Sequence, residues 1–530
     1  MIPESPHMLM WVMSDRAIPR SYRMMEGFGV HTFRLVNSAG ETSLVKFHWK
    51  PVLGVHGLVW DEALTLNGVD PDSHRRDLYN AIGSGAFPEW ELGVQVMPDS
   101  DDQYFNGIDL LDSTKLVPEE LVPVQPIGRM TLNRCPANFF AEVEQVAYHA
   151  GHLVRGIEVT DDPLLQARLF SYLDTQLTRL GGPNFSQIPI NRPLSPVNDN
   201  FRDGFHQLVV HQGRTPYLPN ALGGGCPFLA GAEDGGYIHM PRPVDGVKVR
   251  DRGPDDEYAQ ATLFWQSMSE IEQDHIADAF TFELGHVEVP AVVERMVTRL
   301  GLVDTQLAAR LSIGLGLPMP SAELVLAGDA DDIADAGSGK VGADAEPRFV
   351  PDPTGGIAAS PRLAMITDNV YPVDGRIVQI LANDGCDLNG IRAMQTAILA
   401  AGATPPVVAT HKGVIRGRKA DELMVDRSFH TASSAEADAF IVADAAGLAD
   451  NPAVITWIQS AYRHFKPIAA WGDGLQLLAN AGVTTDAPGV VVSQKPNATF
   501  AKAVMASLAA HRHWDRAAPH PTRALVGEDD

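Results

Sequence analysis

The chain has 530 residues, is 45% hydrophobic and 20% charged, and carries a formal net charge of -25 at pH 7. It can bury a large core spread over two to four domains, and it lacks the positive face that nucleic acid or an anionic membrane would need. No apolar run approaches the roughly 20 residues of a membrane span. The opening Met1-Ile-Pro-Glu-Ser-Pro has neither the basic region nor the apolar core of a secretory signal, so a cytoplasmic protein is expected. Cys135, Cys226 and Cys386 are widely spaced with no C-x-x-C, which argues against a disulfide framework or a zinc site and for buried or incidental thiols.

In chain order, residues 11–36 read as a short helix, a turn and a strand at Thr32–Val36. In Ser43–Lys50, Val45, Phe47 and Trp49 alternate with Lys46, His48 and Lys50, a period of two that predicts a strand with the apolar set buried. Strands follow at Leu92–Met97 and Gly128–Asn133, with a charged helix over Asp70–Ile82. The turn-like Asp161-Asp162-Pro163 precedes a helix that holds Arg168-Leu-Phe-Ser-Tyr-Leu-Asp-Thr-Gln176. On it Arg168 and Tyr172 stand at i and i+4, where a guanidinium reaches a phenolic oxygen. A lone Tyr on an amphipathic helix is most often a core or rim residue. Beside a cation or a metal, however, a phenol of pKa about 10 becomes an anionic ligand at neutral pH.

Val210–Met240 is rich in Gly and Pro and reads as a long loop. Phe264–Leu300 has helical periodicity through Ile271, Ile276, Phe280 and Phe282. Gly328–Ser360 has the composition of a linker. Beyond it, apolar runs at Arg376–Leu381, Val407–Ala409, Ala439–Ala443, Pro467–Ala470 and Gly489–Ser493 alternate with helices at Leu388–Ala401, Pro452–Phe465 and Thr499–Ala510. That alternation predicts a parallel sheet covered on both faces.

Several stretches together resemble haem catalases of the large-subunit type over nearly the whole chain. They are Arg168–Gln176 with Arg179-Leu-Gly-Gly-Pro-Asn184, Leu132–Gln145, Ala147-Tyr-His-Ala-Gly-His152, Gln187–Pro193, Arg202–His206 and the Gly27-Phe-Gly-Val-His-Thr-Phe33 segment. The resemblance implies an α+β catalase core, here about half of its antiparallel β-barrel plus a helical region, followed by an α/β flavodoxin-like domain. The implied divisions are 1–150 for the second half of the barrel, 151–260 for the proximal haem helix and wrapping loop, 261–327 for the helical region, 328–361 for a linker and 362–530 for the C-terminal domain. It further implies disproportionation of hydrogen peroxide by a haem, b or d, in a homotetramer. NADPH is not expected, because in the large-subunit type the C-terminal domain occupies the corresponding region.

By the same resemblance Tyr172 is the axial iron ligand, Arg168 keeps it ionised, Arg179 pairs with a haem propionate, and His149 tunes the ligand from behind, with a His149–Tyr172 bond left open. The family's distal His and Asn lie on the first half of the barrel, and no R-x-x-H stretch precedes Ser14, so neither is assigned here. That leaves two alternatives to an active catalase. One is an inactive or truncated homologue. The other is a DJ-1-like stress protein acting through the C-terminal domain. The amidotransferase-like pattern of that domain is Lys466-Pro-Ile-Ala-Ala-Trp-Gly-Asp-Gly474, with Gly472 where the nucleophilic Cys would stand, which excludes thiol chemistry there. Cys386 is a weak substitute.

Overall fold

The computed structural model describes residues 4–194, 205–211, 214–215, 257–319, 352–419, 421–444 and 447–526. Cys226, the Gly/Pro-rich loop beyond Thr215 and the linker up to Val350 lie outside the described residues.

The first layer is an antiparallel sheet. Helix α1 (Pro6–Val12) and two 3-10 turns lead to strands β1 (Gly27–Phe28), β2 (Phe33–Val36) and β3 (Thr42–Pro51). Helices α2 (Trp60–Val69) and α3 (Ser73–Ser84) intervene before β4 (Glu89–Pro98), the small hairpin β5 (Tyr104–Phe105) and β6 (Ile108–Asp109), β7 (Gln125–Thr131) and β8 (Ile157–Val159). The order is β7-β4-β3-β2-β8, with β1 on β3, and among the described residues the sheet is open. The four strands expected from the sequence are all present. Helix α2 was not anticipated, and the first helix ends where the sequence reading began it, because Pro6 starts it.

Both faces of β3 are partly covered. Val45 is 0% exposed with Phe47 and Trp49 half-buried on one face, and Lys46 and His48 are buried, at 1% and 5% exposure, on the other. The polar side chains are paid for by partners: Lys46 Nζ donates to the Val30 carbonyl at 2.7 Å, and the His48 ring bonds Gln95 Oε1 at 3.1 Å. Gln95 in turn donates to the carbonyls of Val117 and Val122. Burial pushes the Lys46 ammonium down to about 8. Alternation names the two faces of a strand but not that the polar one is also covered once it finds carbonyl acceptors.

The long helix α4 (Pro163–Arg179) follows β8. Helices α5 (Ala259–Ser267), α6 (Glu270–Gly285), α7 (Pro290–Val303) and α8 (Thr305–Leu315) form a helical core with α1. Phe264, Ile276, Phe280 and Leu311 are at most 2% exposed.

The C-terminal part runs β9 (Val378–Leu381), α9 (Leu388–Ala400), β10 (Val407–Ala409), the hairpin β11 (Gly413–Arg416) and β12 (Glu422–Val425), β13 (Arg427–Ser428), β14 (Ala439–Val442) and α10 (Pro452–Arg463). It ends with β15 (Ile468–Trp471), α11 (Gly474–Asn480), β16 (Val490–Ser493), α12 (Ala498–Ala509) and α13 (Pro521–Val526). The parallel sheet has the order β13-β10-β9-β14-β15-β16. Its central strands β9, β14 and β15 are buried along their length, as continuous apolar runs require when helices cover both faces. The hairpin and α11 carried no clear signal, being short and exposed or Gly-started.

The two parts are joined by buried ion pairs. Arg20 donates to both oxygens of Asp438, at 2.7 and 3.0 Å, and Arg23 to Asp77 and to the carbonyls of Asp374 and Gly375. Glu62, on α2, accepts from Lys466 and Arg512 with every side chain 0% exposed. Arg20 and Arg376 hold the Asp438 carboxyl far below the usual range, outweighing burial, which alone would raise it. A depressed carboxylate stabilises the fold above its unfolded pKa of about 3.9 and ceases to do so as pH falls through the folded value. Asp438→Ala is expected to cost about 3–5 kcal/mol, because it strands buried guanidinium groups. Denaturant unfolding at pH 7 measures this, and the difference from wild type should shrink toward pH 2.

Candidate functional site

Helix α4 is fixed at its start. Asp162 accepts from the N–H groups of Leu164 and Leu165 at 2.8 and 3.0 Å, and Pro163 occupies the first turn, where its missing N–H costs nothing. The other Asp162 oxygen meets His31 Nδ1 at 2.6 Å, with both residues buried. His31 lies two residues before the start of β2, which pairs with β8 through Phe33 and Val159, and Thr160 donates to the Thr32 carbonyl. One carboxylate thus ties the helix end to the sheet. Burial works to raise its pKa, but the His31 bond and the two helix N–H groups bring it below the ordinary value.

Two turns along, the Arg168 guanidinium donates to the Tyr172 phenolic oxygen at 3.1 Å, its carbon lying 4.9 Å from the ring centroid. His149 Nε2 donates to the Leu169 carbonyl at 2.8 Å, while its Nδ1 accepts from the Gly151 N–H, so the ring is fixed as a single tautomer. Its neighbour His152 lies 4.9 Å away, centroid to centroid. Arg179 goes elsewhere. Its guanidinium donates to the carbonyls of Glu144 and Val146 and to Gln176 Oε1, at 2.8, 2.7 and 2.6 Å, and Gln176 reaches the Tyr148 carbonyl. Arg179 thereby ties the 144–148 segment to α4. Three anchors on α4, at positions 169, 176 and 179, hold the loop that carries His149.

The Arg168–Tyr172 pair expected at i and i+4 forms on α4, and His149 meets the same helix at the Leu169 carbonyl. Sequence reasoning missed His31 and Asp162. The signal was available: an Asp before Pro before an apolar periodic run is an N-cap signature.

At the C-terminal end of the parallel sheet, β15 runs into Gly472 at φ +57 and then α11, the sharp strand-to-helix turn on which a nucleophile would be presented. A Cβ at Gly472 would lie 2.6 Å from Asp444 Cγ. Asp444 accepts from the Asp473 N–H at 2.8 Å and from both terminal nitrogens of Arg418, which also reaches Asp473. An ion-paired carboxylate fills the turn. Cys386 is fully buried, and burial pushes its thiol up, which suits a structural residue.

The model of the Catalase family matches residues 1–224, that of the C-terminal domain found in long catalases matches 374–518, and that of the catalase-related immune-responsive domain matches 252–315. Among curated proteins, "Catalase HPII" of Mycobacterium avium is 46% identical over 97% of this chain and 71% of its own length. "Catalase-2" of Bacillus subtilis is 45% identical over 97% and 71%, and "Catalase HPII" of Pseudomonas putida is 44% identical over 98% and 70%. The chain belongs to the catalase family, in its long, large-subunit form. Its reaction is the disproportionation of hydrogen peroxide to water and oxygen, and the family implies a haem. The residues present fit that group: Tyr172 is a half-buried phenol whose oxygen accepts from a fixed cation, the donor that an anionic axial ligand requires.

Asp162→Ala removes both the helix cap and the His31 partner, and a loss of about 1–2 kcal/mol is expected in thermal or denaturant melts, most of it recovered by Asp162→Asn. Gly472→Cys is expected to lower the melting temperature without creating a reactive thiol, since the new side chain meets Asp444 at a left-handed φ. Mass spectrometry after mild alkylation measures the second part.

Proposed function

We propose that Tyr172 is the axial ligand of the haem iron, that Arg168 holds it as a phenolate, and that His149 positions the turn of α4 on which both stand. The observation that carries this reading is the 3.1 Å bond from the Arg168 guanidinium to the phenolic oxygen. A charge-assisted bond from a permanently cationic donor favours the ionised phenol. Bound there, the haem supplies the two-electron chemistry by which one peroxide is reduced to water and the next is oxidised to oxygen. The chain's own contribution on this side is to fix the ligand. His31 and Asp162 hold the helix against the sheet, Arg168 donates to the phenolic oxygen, and Gln176 and Arg179 clamp the loop so that His149 keeps its bond to Leu169.

Both haem b and haem d suit such a ligand, and the absorption spectrum separates them. A homotetramer is supported by large apolar side chains left open near this helix, among them Phe170 at 76% and Tyr148 at 77% exposure, which subunit contact would cover. No helix among the described residues is long and apolar enough to cross a membrane, and we place the protein in the cytoplasm. The divisions at 150, 260, 327 and 361 stand as our proposal for the units of the chain.

The test is haem reconstitution of the purified chain, with the absorption spectrum and oxygen release from peroxide measured together. Wild type should give a high-spin ferric spectrum with a tyrosinate ligand and evolve oxygen. Tyr172→Phe should lose the tyrosinate features and the activity. Arg168→Met should weaken haem binding roughly 10–100-fold, as loss of a charge-assisted hydrogen bond implies. A tyrosinate spectrum persisting in Tyr172→Phe would overturn the assignment.

A further inference from the structure

The junction between the antiparallel sheet region and the parallel-sheet domain holds more buried positive charge than its carboxylates balance. Five cations, Arg20, Arg23, Arg376, Lys466 and Arg512, are each at most 5% exposed. They face three carboxylates, Asp77, Asp438 and Glu62. The carboxylates are unevenly shared. Arg20 and Arg23 are each bidentate to an aspartate and also reach backbone carbonyls, and Lys466 Nζ has Glu62 and the carbonyls of Ser434 and Ala437.

Arg376 and Arg512 are left short. Arg512 reaches Glu62 through one terminal nitrogen only, and its Nε and other terminal nitrogen have no partner among the described residues. Arg376 donates one terminal nitrogen to His511 Nδ1 at 2.6 Å and stands 4.0 Å from Asp438, with its Nε and other terminal nitrogen likewise unpaired among the described residues. Both side chains are 0% exposed. An unpaired buried donor is costly, more so on a charged group, and native proteins meet such donors with an acceptor. The two residues are neighbours through His511, which precedes Arg512 in the chain and takes the Arg376 bond. The ring of His56 stacks on His511 at 4.2 Å. Both imidazoles are held well below their ordinary pKa, first by burial and then by neighbouring cationic groups. Burial likewise brings the Arg376 guanidinium down to about 10.

We infer that the unpaired edges of Arg376 and Arg512 hold a small monovalent anion of the chloride class, a structural counter-ion that pins the C-terminal domain to the catalase core. A halide suits the place because its contacts are non-directional and it needs only donors, which is what the two guanidinium edges present.

The experiment uses the full chain. Crystals grown or soaked with sodium bromide should show an anomalous difference peak within hydrogen-bond distance of Arg376 and Arg512. In solution, raising chloride at constant ionic strength against methanesulfonate should raise the melting temperature saturably by roughly 2–4 °C or more. Arg376→Gln should abolish that dependence, and if it fails to fold, Arg376→Lys, which keeps the charge with fewer donors, should shift the saturation to higher chloride. An anomalous map with no peak at the junction, or the same melting temperature in chloride and methanesulfonate, overturns the inference.

Discussion

One buried carboxylate, Asp162, sets how helix α4 is seated on the sheet. Asp162 faces three donors at once, two helix N–H groups and the His31 ring. A helix start leaves its first N–H groups unsatisfied, and here a carboxylate that is itself anchored to the sheet meets two of them. The direction of α4 is therefore set before any packing along its length. Because the phenolic oxygen of Tyr172 sits ten residues further on, an error of angle at the cap would be carried to that oxygen. A cap fixed from both sides keeps that error small.

Polar groups are buried in this chain wherever a carbonyl or an opposite charge can receive them. Lys46 and Gln95 inside the sheet are met by main-chain oxygens, and Arg179 does the same for the loop over α4. The junction of the two parts uses ion pairs instead, and its excess of cations concentrates at Arg376 and Arg512. Buried ionic junctions contribute little net stability compared with an apolar seam, but they tolerate few alternative alignments, since each misplacement strands a charge. The arrangement fits a domain that must sit in one place on its core.

The C-terminal domain presents no nucleophile on its strand-to-helix turn at Gly472. The strand-to-helix turn at Gly472 has the left-handed backbone that a presented nucleophile would occupy, yet Asp444 and Arg418 fill the space in front of it. The N–H of Asp473, which could stabilise an oxyanion, is instead bonded to Asp444. What remains is a packed parallel sheet that offers a surface and a junction.

Much of this was legible in the sequence. Continuous apolar runs gave β9, β14 and β15, and the period of two gave β2, β3 and β4, because burial on one or both sides of a sheet imposes those patterns directly. The motif at Arg168–Gln176 gave the phenol and its cation, since i and i+4 on a helix meet whatever surrounds them. The sequence by itself thus determined the family, the main strands and longer helices, and the local Arg168–Tyr172 pair. Only the tertiary structure decided that the polar face of β3 is covered too, that His31 and Asp162 anchor the helix across 131 residues of chain, that Arg179 turns to a loop, and that Asp444 closes the turn at Gly472. Each of these depends on a partner distant in sequence, and residue spacing carries no record of which distant acceptor a buried donor will find.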